Sequence, residues 1–256
     1  GGGGRSGGWA SGEVTGYKES LIQRIGVERT HQLFEALHQS IDEIVEISDP
    51  SVGAAKSGSL YFARNSAQLS RLKERVDADH VFLSANEARE MLNVDGIKGG
   101  LFTRSCATLN PFNLIKFLVS SLSKRGVHLF ENSFASASPG GVLVNSSFIK
   151  AGAVIQATEA FADPGRDFIP LYSLMVATEP ISDSLWQEIG NSSRFTFAEA
   201  SHMVNYAQRT SDNRIAIGGR GATYPFGSRL DSSKEKTAKV HATIRSLLRS
   251  WFPMLR

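Results

Sequence analysis

One stretch constrains the fold more than any other: "LNPFNLIKFLVSSLSKRG", residues 109–126. Asn110 stands where a helix N-cap is needed. Pro111 follows at the first helical position, where its missing N–H costs nothing. Lys124 and Arg125 fall in the last turn, against the negative end of the helix dipole, and Gly126 supplies the stop. The chain then runs straight into "VHLFE", an extended apolar run. A turn over residues 138–141 leads to "GVLVNS", and a second turn to "AGAVIQATEA". There Val154 and Ile155, set between small residues, suit a strand buried on both faces. A helix feeding a strand, followed by a buried strand that closes on small residues, predicts part of a doubly wound α/β sheet.

The flanking segments add to this pattern. "VERTHQLFEALHQSIDEIVEISDP" puts Leu33/Phe34, Leu37, Ile41 and Ile44/Val45 on one helical stripe, closed by Pro50. "GSLYFAR" reads as a short strand and Asn65 as the cap of a helix carrying Leu69, Leu72 and Val76. Ser84 with Glu87 reads as a capping box. From Ile169 the pattern turns β-rich: "PLYSLMVATEPI" and "HMVNYAQRTSDNRIAIGGR" carry strands, the latter folded as a hairpin at Ser211–Asn213. "DSSKEKTAKVHATIRSLLRSWFP" returns to a helix with Val240, Ile244 and Leu247/Leu248 on one face. The expected fold class is therefore α/β: a partial doubly wound domain interleaved with an α+β, β-rich one.

Composition narrows the function classes. The 28 basic and 25 acidic residues leave a net charge of +3, too mild and too scattered for a nucleic-acid partner. No run approaches the roughly 20 apolar residues that span a bilayer, so no membrane partner is expected. The single cysteine, Cys106, excludes an internal disulfide framework. It suits a small buried hydrophobe in a reducing, cytoplasmic compartment.

Several motifs fail on context. The opening "GGGGRSGGWASG" contains Gly2-x-Gly4-x-x-Gly7 and Gly4-x-Ser6-x-Gly8. The first matches a dinucleotide fingerprint and the second a nucleophile elbow, but each pattern needs a preceding strand and a following helix. No Gly-Lys-Ser/Thr follows for a phosphate loop of the Walker type. His31, Glu35 and His38 share one helical face at i, i+4 and i+7, yet they flank the polar side of an amphipathic helix. A solvated face is the better reading, and no metal is expected. Glu35, Asp42, Glu43 and Glu46 are helix-surface charge. In "GGRG", Gly218–Gly221, the glycines permit close backbone approach. Arg220 beside them either clamps a carboxylate or is simply solvated.

In their order and spacing, "RSGGWASG", "GGLFTRSCATLNPFNLIKFLVSSLSKRGVHLFENS", "VIQATEAF", "LMVATEPIS" and "IAIGGRG" resemble the flavin-dependent amine oxidoreductases of the D-amino-acid oxidase type. Within that family the γ-glutamylputrescine oxidase-like members look most similar. The family's first β-α-β unit, with its GxGxxG, has no counterpart here, and neither has its C-terminal segment. The expectation is an internal fragment that binds FAD weakly or not at all by itself. A further departure is Glu159, where many relatives carry Gly.

The resemblance implies a partial FAD/NAD(P)-binding domain over 1–50, 101–165 and 230–256, and a substrate-binding domain over 51–100 and 166–229. It implies FAD as cofactor and a small amine or amino acid as substrate, oxidised at its C–N bond by hydride transfer to flavin. The imine then hydrolyses, and oxygen reoxidises the flavin to give hydrogen peroxide. The alternatives are a dehydrogenase with another acceptor and an inactive fragment. Arg5, Ser6, Gly7 and Gly8 would approach FAD through backbone N–H groups, where a Cβ would obstruct. Trp9 either packs near the flavin or fills the domain core. Ala135 matches an adenine contact, and Ala157 and Thr158 the turn beside the cofactor. Tyr206 and Arg220 would roof the substrate pocket. No residue is assigned a catalytic acid–base role.

Overall fold

The structure, a computed structural model, describes residues 3–14, 16, 18–161, 168–221, 224, 226–228 and 230–255. Gly1 and Gly2, at the head of the glycine-rich opening, lie outside the described residues. So do residues 162–165, at the end of the expected 101–165 segment.

In chain order come strand β1 (Trp9–Ser11), helices α1 (Lys18–Ile25) and α2 (Val27–Ile47), and strands β2 (Ala55–Lys56) and β3 (Ser59–Ala63). Next are helix α3 (Ser66–Lys73), strand β4 (His80–Ser84), helix α4 (Ala85–Met91), and strands β5 (Gly99–Thr103) and β6 (Cys106–Thr108). Helix α5 (Pro111–Lys124) precedes strands β7 (Ala135–Ser138), β8 (Gly141–Val144) and β9 (Ser147–Lys150). Strand β10 (Ser173–Ala177), helix α6 (Asp183–Ile189), strands β11 (Thr196–Glu199), β12 (Asn205–Arg209) and β13 (Ile215–Arg220), and helix α7 (Ala238–Trp251) follow. They form two compact units. The larger is Gly1–Phe117 with Leu171–Tyr224 and Asp231–Arg256; the smaller is Leu118–Pro170 with Pro225–Leu230.

The larger unit is built on a seven-stranded sheet in the order β10-β13-β12-β11-β3-β5-β4. Only the β11–β3 pairing is parallel. Side chains alternate between faces along each strand. One face carries Leu174, Ile217, Ile215, Ala207, Phe197, Leu60 and Phe62, all buried. Val240, Ile244 and Leu248 of α7 pack on that face, as the spacing of the helix predicts, and Trp251 joins them. The opposite face carries Tyr206, Gln208, Ala216, Gly218, Arg220 and Tyr61. A small sheet, β1-β6-β2, belongs to this second side: Trp9 of β1 meets Tyr61 and Tyr206, and Cys106 of β6 meets Thr196.

Local signals that a few neighbouring residues can satisfy form as expected. Asn65 accepts from the Gln68 N–H, and Ser84 and Glu87 close a reciprocal capping box. Asn110 Oδ1 accepts from the Asn113 N–H at 3.1 Å. The β12–β13 hairpin turns through Asn213 at φ +62°, with Thr210 N bonded to Arg214 O at 2.9 Å. Helix α3 ends at Lys73, so Val76 is not on its stripe and stands exposed. The structure adds two helices to those expected, α1 and α6.

The smaller unit contains the antiparallel meander β7-β8-β9. Gly126, at φ +83°, ends α5, with Val127 N bonded to Leu122 O and Gly126 N to Ser123 O, both at 3.1 Å. Two expected strands are corrected here. "VHLFE" and the Val154–Ile155 segment have no strand structure, and Ile155 is 89% exposed where burial was expected. A strand forms only where its peptide groups find a partner. Among the described residues no ladder runs along either segment, so apolar content alone does not make them strands.

Candidate functional site

The second face of the large sheet is where the predicted loop and the predicted roof meet. Tyr206 pairs across the sheet with Gly218, and Gly218 with Met175. One step along, Gln208 pairs with Ala216, and at the other end Arg220 pairs with Ser173. The period of two puts Tyr206, Gln208 and Arg220 on one face. The Tyr206 ring lies between the backbones of Gly7 and Gly218, and a Cβ on either glycine would fall inside it. Its hydroxyl is 2.7 Å from Ser173 Oγ. Trp9 meets Tyr206 and Tyr61 edge-to-face, with ring centroids 6.2 and 6.3 Å away.

Gly8 is buried at φ +72°, and a Cβ there would strike the Gln208 amide and the Leu109 carbonyl. Its carbonyl accepts from Leu109 N at 2.9 Å. Ser6 lines a cavity of about 380 Å³ with Asn110, Arg194, Gln208, Thr210 and Asp212. Arg5 pairs with Glu235 at 3.0 Å. Arg220 is exposed at the strand end, its N–H bonded to Val204 O. The structure thus brings Gly7, Gly8, Trp9 and Tyr206 together, with Ser6 at the neighbouring cavity. Arg5 is engaged with Glu235.

Ala135, Ala157 and Thr158 belong to the smaller unit and are exposed there. Ala135 opens β7. Thr158 O accepts from Phe161 N at 2.9 Å, closing a 3₁₀ turn. Within that turn Glu159 has φ +46°, a conformation that glycine adopts without strain.

A second cluster was not found from the sequence. Glu13, just beyond β1, accepts from Tyr61 Oη at 2.9 Å, contacts His80 Nε2 at 2.9 Å and pairs with Arg75 at 3.4 Å. His80 Nδ1 lies 2.7 Å from Asp77. Hydrogen bonds donated to the Glu13 and Asp77 carboxylates hold the His80 imidazolium, raising its pKa against the opposing effect of burial. Burial pushes Glu13 up, but His80, Arg75 and Tyr61 more than offset this and hold it below the usual carboxylate range. Burial and the Glu13 charge push Tyr61 far up. Nothing in the spacing of residues 13, 61, 75, 77 and 80 marks them as neighbours; only the fold does. Burial also pushes the Cys106 thiol up to about 12, which makes it unreactive, as expected of a small core residue.

His31 Nδ1 lies 3.6 Å from Glu35, whereas His38 packs against Gly12. Among the described residues no group of three or more His, Cys, Asp or Glu is arranged to hold a metal ion. No helix of the described residues is long and apolar enough to cross a membrane. The residues around Gly7 do fit a cofactor such as FAD. Trp9 Nε1 is buried without a hydrogen-bond partner among the described residues, a donor awaiting an acceptor. The Gly7 carbonyl is taken by Gln208, so the trans peptide turns the Gly8 N–H the opposite way.

Comparison with known proteins gives the family. The family model "FAD dependent oxidoreductase" matches residues 1–256. The probable oxidoreductase OrdL of Haemophilus influenzae is 27% identical, over 98% of this chain and 61% of its own length. The chain therefore spans less than two thirds of that relative. Glycine oxidase from Geobacillus kaustophilus superposes with a TM-score of 0.66 at 16% identity, over 98% of this chain and 68% of that one. L-proline dehydrogenase from P. horikoshii superposes with a TM-score of 0.63 at 19% identity, over 84% of this chain and 62% of that one. The chain belongs to the FAD-dependent oxidoreductase family, whose cofactor is FAD and whose fold interleaves an α/β, Rossmann-like FAD-binding region with a β-rich substrate-binding region.

Proposed function

We propose that the protein oxidises the C–N bond of a small amine or amino acid, with oxygen as acceptor and hydrogen peroxide as product. FAD, when bound, supplies the hydride acceptor. The observation that carries this reading is the Gly7–Gly8 peptide, held without side chains against the face that bears Tyr206 and Gln208. That arrangement commits the Gly7 and Gly8 carbonyls to the protein. It supports Arg5–Gly8 and Trp9 as the flavin side and Tyr206 with Arg220 as the substrate side. Tyr206 would wall the pocket and exclude water, and Arg220 would anchor a polar group of the substrate. In this reading Ala135, Ala157 and Thr158 serve the adenine side. The flavin domain takes 1–50, 101–165 and 230–256, and the substrate domain 51–100 and 166–229. A γ-glutamylated diamine is the first substrate to try, on the sequence resemblance.

The test is a panel of amines and amino acids added anaerobically to the holoprotein. A substrate should bleach the flavin absorbance, and air should restore it with one peroxide per turnover. A panel in which nothing bleaches the flavin sinks the reading. The similarity to a proline dehydrogenase favours a second reading, with an acceptor other than oxygen. Bleaching that air does not reverse, but a redox dye does, would select it.

A further inference from the structure

Gln208 is a buried amide in the middle of a strand, a costly place for one unless its donors are used. They are. Nε2 donates to Gly7 O at 3.0 Å and to Leu109 O at 3.3 Å. Leu109 N in turn donates to Gly8 O at 2.9 Å. One side chain of β12 therefore joins the glycine loop to the segment between β6 and α5. A β-branched or aromatic residue would suit the strand better and would leave both carbonyls without this donor.

We infer that Gln208 is a positioning residue for the flavin loop. It draws the Gly7 carbonyl toward the sheet and so keeps the Gly8 N–H on the opposite edge of the peptide, where a cofactor oxygen can be met. The close fit around Gly8 serves the same end, because any Cβ there would push the Gln208 amide away. This inference rests on the reading of Arg5–Gly8 as the flavin side.

The test compares Gln208→Met with Gln68→Met. Gln68 is an equally buried amide, on α3, bonded to Glu199 at 2.7 Å and so a control for loss of a buried amide as such. Hydrogen–deuterium exchange of the peptide covering residues 5–11 should quicken about tenfold in Gln208→Met and stay within about twofold in Gln68→Met. The FAD dissociation constant of the holoprotein should rise about tenfold in the first and stay within about twofold in the second. Gln208→Glu keeps the shape but replaces the donor, is expected to behave as Gln208→Met, and serves if that variant does not fold. Unchanged exchange in the Gln208 variants, or equal effects in both glutamine variants, overturns the positioning role. Faster exchange with unchanged FAD affinity overturns the flavin-side reading beneath it.

Discussion

Gly8 has the Gln208 amide and the Leu109 carbonyl closed around its α-carbon, at a backbone angle of φ +72°. Both the space and the conformation exclude a side chain. Gly8→Ala should therefore cost about 1–3 kcal/mol of stability. Urea denaturation measures it, and a loss below about 0.5 kcal/mol would show that the loop simply relaxes. At this scale the sequence was partly legible. "RSGG" marks a backbone that something must approach closely. Tyr206 and Arg220 were singled out, yet Gln208 was not, although it is two residues from Tyr206 and so on the same face of any strand. The reason is physical. A lone Gln in a strand carries no signal until the carbonyls it meets, at positions 7 and 109, are known.

Between elements, one polar cluster joins Glu13, just beyond β1, to His80 at the start of β4. His80 bridges Glu13 and Asp77, and protonation lets both ring nitrogens donate. Its pKa is raised, so its stabilisation is full below the ordinary histidine value and is lost as pH rises through the folded value. Glu13 and Asp77 are lowered, so theirs is present above ordinary carboxylate values and is lost as pH falls through the folded ones. Wild type should exceed His80→Gln in melting temperature most in the mildly acidic window between these limits. The gap should shrink toward about pH 9, read by calorimetry from about pH 5 upward. A gap constant across that range would mean the bridge is not held by the charged imidazole. Element boundaries set by caps were legible, because Asn65, Ser84 and Asn110 each reach a backbone N–H only three residues on. "VHLFE" was not, because a strand needs a partner from elsewhere in the chain.

At the scale of the whole molecule, α7 closes the core of the larger unit. Trp251 is fully buried, lies edge-on to Phe62 with centroids 5.1 Å apart, and donates from Nε1 to Glu199 Oε2 at 2.7 Å. That bond fixes the end of the helix to β11, while Arg64 reaches Ser250 from the end of β3. Trp251→Ala should cost about 3–5 kcal/mol by cavity formation, and more because Glu199 Oε2 loses the indole donor. Chemical denaturation checks this, and a cost below about 1 kcal/mol would place α7 outside the cooperative core.

By itself the sequence determined what short-range physics controls: the amphipathic helices, their caps, the hairpin at Asn213, the glycines that admit a close backbone, and the order of motifs that marks the family. Those features need only neighbours a few residues away, or a comparison of motif order. Tertiary structure alone decided which apolar runs became strands, that Tyr206 sits between Gly7 and Gly218, and that Glu13 gathers Tyr61, Arg75 and His80. Each of these joins residues far apart in sequence, and no local periodicity encodes which distant peptide or carboxylate will be there to meet them.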